Sequence, residues 1–260
     1  MIIFISNADT DLLALRTIVE GLEGGLADTS AATAAAGDPL PDLGSAQVVV
    51  LRLLGGVKAW TEQVSLLVAE VGRRGLALWA FSGDTVFDEE MAALSTVGLQ
   101  HMSVAFDYLR YGGLENLKAL LYYIANVSLG MQLPLSPPVA VPEAGTLVRH
   151  PHQAGRPSAA VVFYRSHLLS GNVRFIEELC DGLEAAGMNA TAVYANSLRL
   201  DATGASQALR VLGELAPDVV ITTVLAMGSM GEDGWDASAL AALGVPVVQG
   251  LISTVSHSQW

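Results

Sequence analysis

The sequence predicts an α/β protein made of two open, mostly parallel-sheet units joined by a proline-rich connector. Three observations carry that prediction. Short continuous runs such as "MIIFIS", "AQVVVLRL" and "AAVVFYR" are rich in β-branched residues, as strands covered on both faces should be. Between such runs lie stretches in which apolar residues recur every three or four positions, the period of an amphipathic helix. The two patterns alternate, which argues for parallel strands joined by right-handed crossovers, as in Rossmann- and flavodoxin-like sheets.

In the first unit, residues 1–133, "MIIFIS" is the opening strand and Asp9 is expected to cap the helix "TDLLALRTIVEGL". "DTSAATAAAGDPLPDLGS" reads as loop or a weak edge element. "AQVVVLRL" is a strand, "KAWTEQVSLLVAEVGRRG" a helix ending at Gly75, and "LALWAFSGD" the next strand. "DEEMAALSTVG" is a short helix with acids in its favourable first turn, and "LENLKALLYYIANVSLG" closes the unit as a long one. Residues 134–157 hold six of the ten prolines and are expected to be an extended, partly polyproline-like connector. The second unit, 158–260, restarts with "AAVVFYR". It continues through helix "NVRFIEELCDGLEAAG", for which Asn172 is the expected cap, and strand "NATAVYAN". Helix "GASQALRVLGEL", strand "PDVVITTVL", helix "DASALAALG" and strand "VPVVQGL" follow.

Charge excludes several function classes. The chain has 26 acidic and 13 basic residues, a pI near 4.6, and the same two-to-one imbalance in both halves. It lacks the basic stripe of a nucleic-acid binder, and an anionic membrane surface would repel it. "MIIFISNADTD" has no basic region and turns polar after five residues, so it is a strand and not a signal peptide. The longest apolar stretch is broken by Lys118 and Asn126. A soluble, cytoplasmic protein is expected. Cys180, the one cysteine, permits no internal disulfide and reads as a small buried hydrophobe.

In open α/β sheets ligands collect at the carboxyl ends of strands, so the loops there carry the search for chemistry. No G-x-x-x-x-G-K-[ST] string occurs, and Gly55-Gly56-Val57-Lys58 lacks its spacing and its hydroxyl. Gly228, Gly231 and Gly234 sit beside Glu232 and Asp233, which would repel a pyrophosphate. ATP is therefore not expected to bind this chain. His150-Pro151-His152 lies in the connector, where Pro151 forbids a helical pair of ligands, and no metal site is expected there. Ser166 and His167 are neighbours on what reads as an extended segment. Their side chains would then point apart and could not make a nucleophile–base pair.

Loop arginines remain. Arg52 directly follows "VVVL" and Arg165 directly follows "VVFY", each the first charge after an apolar strand. Read structurally, such a guanidinium ties loop carbonyls and a nearby aspartate together. Read functionally, it meets carboxylate or amide groups of a ligand. Trp60 has the same two readings, core filler or stacking surface.

Together these loops resemble the N-terminal part of the large subunit of aerobic cobaltochelatases, the CobN type, and more distantly the H subunit of magnesium chelatases. The strings that carry the resemblance are "NADTDLLAL", "VVVLRLLGGVKAW", "YGGLENLKALLYYI" and "VVFYRSHLLSGNVRFIEELCDGLEAAG", then "PDVVITTV" through "LGVPVVQGLISTVSHSQW". R-x-L-G-G-x-x-A-W combined with Y-R-x-H-x-x-x-G-N is more specific than any single loop. The resemblance implies insertion of Co2+, as substrate, into hydrogenobyrinic acid a,c-diamide during cobalamin synthesis. It implies ATP hydrolysis by AAA+-type partner subunits, in keeping with the missing P-loop. It also implies association with the remainder of a large subunit, since family members are several times longer. A chain truncated at Trp260 and inactive alone is the expectation, with catalytic residues outside it. Loop position and motif match then nominate Arg52, Gly55, Gly56, Trp60, Arg165, Ser166 and His167 as substrate-binding candidates. His167 is also a weak candidate for a proton acceptor or transient metal ligand. Two alternatives stand beside this reading: a non-catalytic docking module for the ATPase subunits, and a fragment of a magnesium chelatase.

Overall fold

The computed structural model describes residues 1–35, 37–84, 86–147, 151–198, 200, 204, 206–224, 230–231, 234–235 and 238–252. These group into two compact units, Met1–Val141 with Leu169–Gly171, and Pro142–Leu168 with Asn172–Trp260.

The first unit holds β1 (Ile2–Ser6), α1 (Asp9–Val19), β2 (Ser30–Thr33), β3 (Val48–Leu53), α2 (Thr61–Arg74) and β4 (Ala77–Ser82). It ends with α3 (Glu89–Ala93), α4 (Leu99–Tyr111) and α5 (Leu114–Leu129). Its sheet is parallel throughout, in the order β2-β1-β3-β4. Alternation along the strands sorts the core into two layers. Ile2, Phe4, Val48, Val50, Trp79 and Phe81 face α1, α4 and α5, while Ile3, Ile5, Val49, Leu51, Leu53 and Leu78 face α2. The small "SAAT" stretch is the edge strand β2. The outer edge of β4 is blocked: Leu78 N–H donates to Thr96 Oγ1, Thr96 N–H to the Leu78 carbonyl, and Ala80 N–H to Ser95 Oγ.

The second unit holds β5 (Ala144–Leu147), β6 (Ser158–Tyr164), α6 (Arg165–Ser170), α7 (Arg174–Ala185), β7 (Asn189–Ala195), α8 (Gln207–Leu215) and β8 (Val219–Thr222). A short antiparallel ribbon, β9 (Met230–Gly231) and β10 (Gly234–Trp235), precedes α9 (Ser238–Ala241) and β11 (Val247–Gln249). Its main sheet runs β11-β8-β6-β7-β5, parallel except for the edge strand β5. Val162, Val193 and Val220 pack against α8. Ile176 and Cys180, both fully buried, come from α7, which packs on β6 and β7.

Several local expectations differ. Asp9 is inside the first turn of α1; Ala8 is the cap position, and its N–H donates to Ser6 Oγ at 3.0 Å. The cap of α7 is Val173 and not Asn172, with no side-chain bond. Helix α4 is not among the expected elements, though its Met102, Ala105, Phe106 and Leu109 are buried at helical spacing. Within the expected connector, 144–147 form strand β5. Gly145 makes that pairing possible: a Cβ there would fall 2.4 Å from Tyr194 Oη on the facing strand.

Candidate functional site

In each sheet the strand order reverses once, and the carboxyl ends of the two strands flanking that point define the crevice where ligands bind in such folds. In the first unit these strands are β1 and β3, and in the second β6 and β8.

At the first crevice the side chains bond to one another. Ser6 and Arg52 pair across β1 and β3 and share the sheet face that α1 covers. Arg52 Nη1 donates to Asp11 Oδ1 in the first turn of α1, and its Nη2 donates to the Gly83 carbonyl at 3.2 Å. The second Asp11 oxygen accepts from Ser6 Oγ at 2.8 Å. Asn7 closes the strand ends from above: its Nδ2 donates to the Leu54 carbonyl at 3.0 Å, and its Oδ1 accepts from Leu54 N–H at 2.7 Å. Gly55 and Gly56 follow with φ of 85° and 62°, which glycine adopts without strain. They turn the chain into a short 3₁₀ segment ahead of α2. Trp60 is 2% exposed within the α2-side core, so it offers no stacking face; its Nε1 and the Nε of Arg52 are buried without a hydrogen-bond partner. Asp11, Ser6, Asn7 and Gly83 were not among the expected site residues. They lie at or after the carboxyl ends of strands β1 and β4, and only the sheet register brings them to Arg52.

At the second crevice the loop expected after β6 is helical, because α6 starts at Arg165 directly. Arg165, Ser166 and His167 therefore occupy its first turn and not an extended segment. Arg165 Nε donates to the Pro142 carbonyl at 2.9 Å. Burial lowers the Arg165 pKa from its ordinary value, while Glu143 and Tyr194 act the other way. Ser166 is exposed. His167 meets the Phe175 ring edge-to-face at 4.9 Å, and its carbonyl accepts from Asn172 N–H at 2.8 Å. Burial lowers the His167 pKa below 6.5, which favours the neutral imidazole. Facing strand β8 ends at Thr222, and Thr223 follows it; both are buried, and Thr223 Oγ1 donates to the Val162 carbonyl at 3.0 Å. The candidates thus fall into two sets, Arg52, Gly55, Gly56 and Trp60 in one unit and Arg165, Ser166 and His167 in the other. No group of three or more potential metal ligands occurs among the described residues. His152 Nε2 lies 2.9 Å from Thr191 Oγ1, while His150, Gly228, Glu232, Asp233 and His257 lie outside the described residues. No helix among the described residues is long and apolar enough to cross a membrane.

Comparison with known proteins decides the family. A family model described as CobN/magnesium chelatase matches residues 106–260. The chain belongs to the CobN/magnesium chelatase family. The aerobic cobaltochelatase subunit CobN of Pseudomonas aeruginosa is 34% identical over 167 residues, 59% of this chain and 13% of that protein. Its namesake from a Sinorhizobium species is 29% identical over 285 aligned residues, covering 100% of this chain and 22% of that one. Among solved structures, the catalytic subunit of cobaltochelatase from Mycobacterium tuberculosis matches with a TM-score of 0.80 at 32% identity. That match takes in 100% of this chain and 22% of that one. Aligned over its full length, the chain thus spans 22% of the length of these last two relatives.

Proposed function

We propose that this chain is a portion of a cobaltochelatase large subunit, and that its second unit supplies contacts to a tetrapyrrole. The whole subunit would insert Co2+ into hydrogenobyrinic acid a,c-diamide, with ATP hydrolysed by AAA+-type partner subunits. The chain alone would be inactive. The observation that carries this reading is the 0.80 TM-score, over the full chain at 32% identity, to a cobaltochelatase catalytic subunit. Chemistry at the second crevice fits it. Arg165 stands at the strand end, and a substrate rimmed with carboxylates and amides suits a guanidinium fork. His167 in its neutral form suits proton acceptance or transient metal contact.

The experiment is a titration of the folded 260-residue chain with hydrogenobyrinic acid a,c-diamide, followed in the visible spectrum. A spectral shift, weakened in Arg165→Ala, is expected. No shift at saturating pigment would overturn the pigment-binding part.

The first unit favours a second reading for itself. Arg52 is committed to Asp11 and Gly83, and Asn7 to Leu54, so its polar crevice is filled by its own side chains. That arrangement suits a scaffold that docks partner subunits. Co-purification with the motor subunits, undisturbed by Arg165→Ala, is its expected result. Magnesium as the metal ranks lower, because the relatives named for a metal are cobaltochelatases.

A further inference from the structure

The proline-rich stretch that follows α5 is fastened to the first unit through its backbone. Asn126 of α5 donates through Nδ2 to the Leu133 carbonyl at 2.9 Å and accepts from Leu133 N–H at 2.8 Å. Asn116, nearer the start of the same helix, treats Val139 in the same way, at 2.7 Å to the carbonyl and 3.0 Å from the N–H. Between them Tyr108 of α4 donates its hydroxyl to the Ser136 carbonyl at 2.5 Å. The anchored residues are therefore 133, 136 and 139. A spacing of three is the repeat of a polyproline II helix, which brings the same face inward once per turn.

The sequence obeys that register. Pro134, Pro137 and Pro138 occupy only positions from which no N–H is asked, while Leu133 and Val139 supply theirs. The pins and the strap differ in exposure. Tyr108 is 4% and Asn116 5% exposed, whereas Leu135 is 50% and Val139 64% exposed. A buried amide that loses its partner carries a desolvation cost, so the pins favour the closed strap more than the strap's own side chains do. Asn116 is also tied to the α4–α5 corner, because its Nδ2 donates to the Gly112 carbonyl at 2.6 Å.

We propose that residues 133–139 are a latched strap: a polyproline strand held by three side-chain pins that read only backbone, with Asn116 as the latch at its far end. Closed, it delivers the chain in fixed form as far as Val139, just short of Pro142 where the second unit begins. Opened at Asn116, it releases residues 137–139 from the first unit, roughly 9 Å of extended chain at about 3.1 Å per residue. The strap is thus a device that sets how much of the chain after α5 is held on the first unit. Its shape depends on Tyr108, Asn116, Asn126 and the fixed φ of its prolines.

Amide hydrogen exchange on the 260-residue chain tests this, with α5 core amides such as Leu120 and Leu121 as the control for folding. Leu133 and Val139 amides should be protected in the native chain. Asn116→Ala should speed exchange at Val139 roughly ten-fold or more, with Leu133 much less affected, and Asn126→Ala should show the reverse. Tyr108→Phe removes one hydroxyl from a folded α4 and decides the matter if Asn116→Ala loses α5 protection; it too should speed exchange at Val139. A native Val139 amide exchanging at the rate of an unfolded chain would overturn the proposal, as would unchanged Val139 protection in Tyr108→Phe and Asn116→Ala.

Discussion

Arg52 at the carboxyl end of β3 donates to Asp11 in the first turn of α1, and the pair joins a strand to the helix that covers it. Their side chains are 18% and 12% exposed. Removing one partner from a fully buried pair costs about 3–5 kcal/mol, because the survivor keeps an uncompensated charge. Some solvent reaches this pair, so Asp11→Ala should cost less, about 2–3 kcal/mol. The double variant Asp11→Leu/Arg52→Met should recover much of that loss. Urea unfolding of Asp11→Ala and of the double variant decides it: Asp11→Ala within about 0.5 kcal/mol of the native chain would mean the pair is only decorative.

Trp60 is expected to behave as core. Trp60→Ala should cost about 3–5 kcal/mol, the range for large aromatic truncations. Trp60→Phe should cost far less than that, since it keeps most of the ring and removes a buried N–H that has no partner. Thermal unfolding of both variants provides the comparison. Equal losses would show that the indole N–H is bonded in solution, for instance to a buried water.

The central strands β1, β3, β4, β6, β7 and β8, their parallel pairing and the strand-end positions of Arg52 and Arg165 were legible because each depends on a local pattern: an apolar run, then the first charge after it. The partners of Arg52 were not. Asp11 reaches it only because Ser6 and Arg52 are in register, so two even-numbered positions share one sheet face. Helix α6 was hidden for a different reason: it begins immediately where β6 stops, with no turn residue to mark the change. The edge strand β5 came from a Gly-containing tetrapeptide that pairs with β7, where Gly145 faces Tyr194, 49 residues away in sequence.

Gly83 should tolerate no side chain. A Cβ there would stand 2.4 Å from Leu54 Cδ2 and 2.9 Å from the Leu54 Cα. The same residue accepts from Arg52 and donates its N–H to the Leu53 carbonyl at 2.7 Å, so it cannot move away without loosening both bonds. Gly83→Ala should therefore destabilise the first unit by about 1–3 kcal/mol, the usual cost of overpacking. Adding Leu54→Ala should relieve only the side-chain part of the clash. Full rescue by Leu54→Ala, read from unfolding midpoints, would show that the backbone at Leu54 gives way.

His167 should make stability depend on pH in a defined direction. Burial lowers its folded pKa below the ordinary 6.5. As pH falls through 6.5 the unfolded chain takes up a proton before the folded one does, and by linkage the folded state loses stability. The contribution of the neutral imidazole is thus complete above about 6.5 and declines from there to the lower folded pKa. Asp218 and Glu70 have lowered pKa values as well, but from ordinary values of 3.8 and 4.5, so their losses come in more acid solution and stay separable. Two measurements check the argument. The His167 ring, followed by NMR, should titrate below 6.5. The fall in unfolding midpoint between pH 7.5 and 5.5, roughly one unit either side of the free imidazole value, should be smaller in His167→Gln than in the native chain. A ring titrating above 6.5 would mean that a nearby carboxylate, and not burial, governs it, and that the imidazole at this crevice is charged where a metal or a pyrrolic proton would need it neutral.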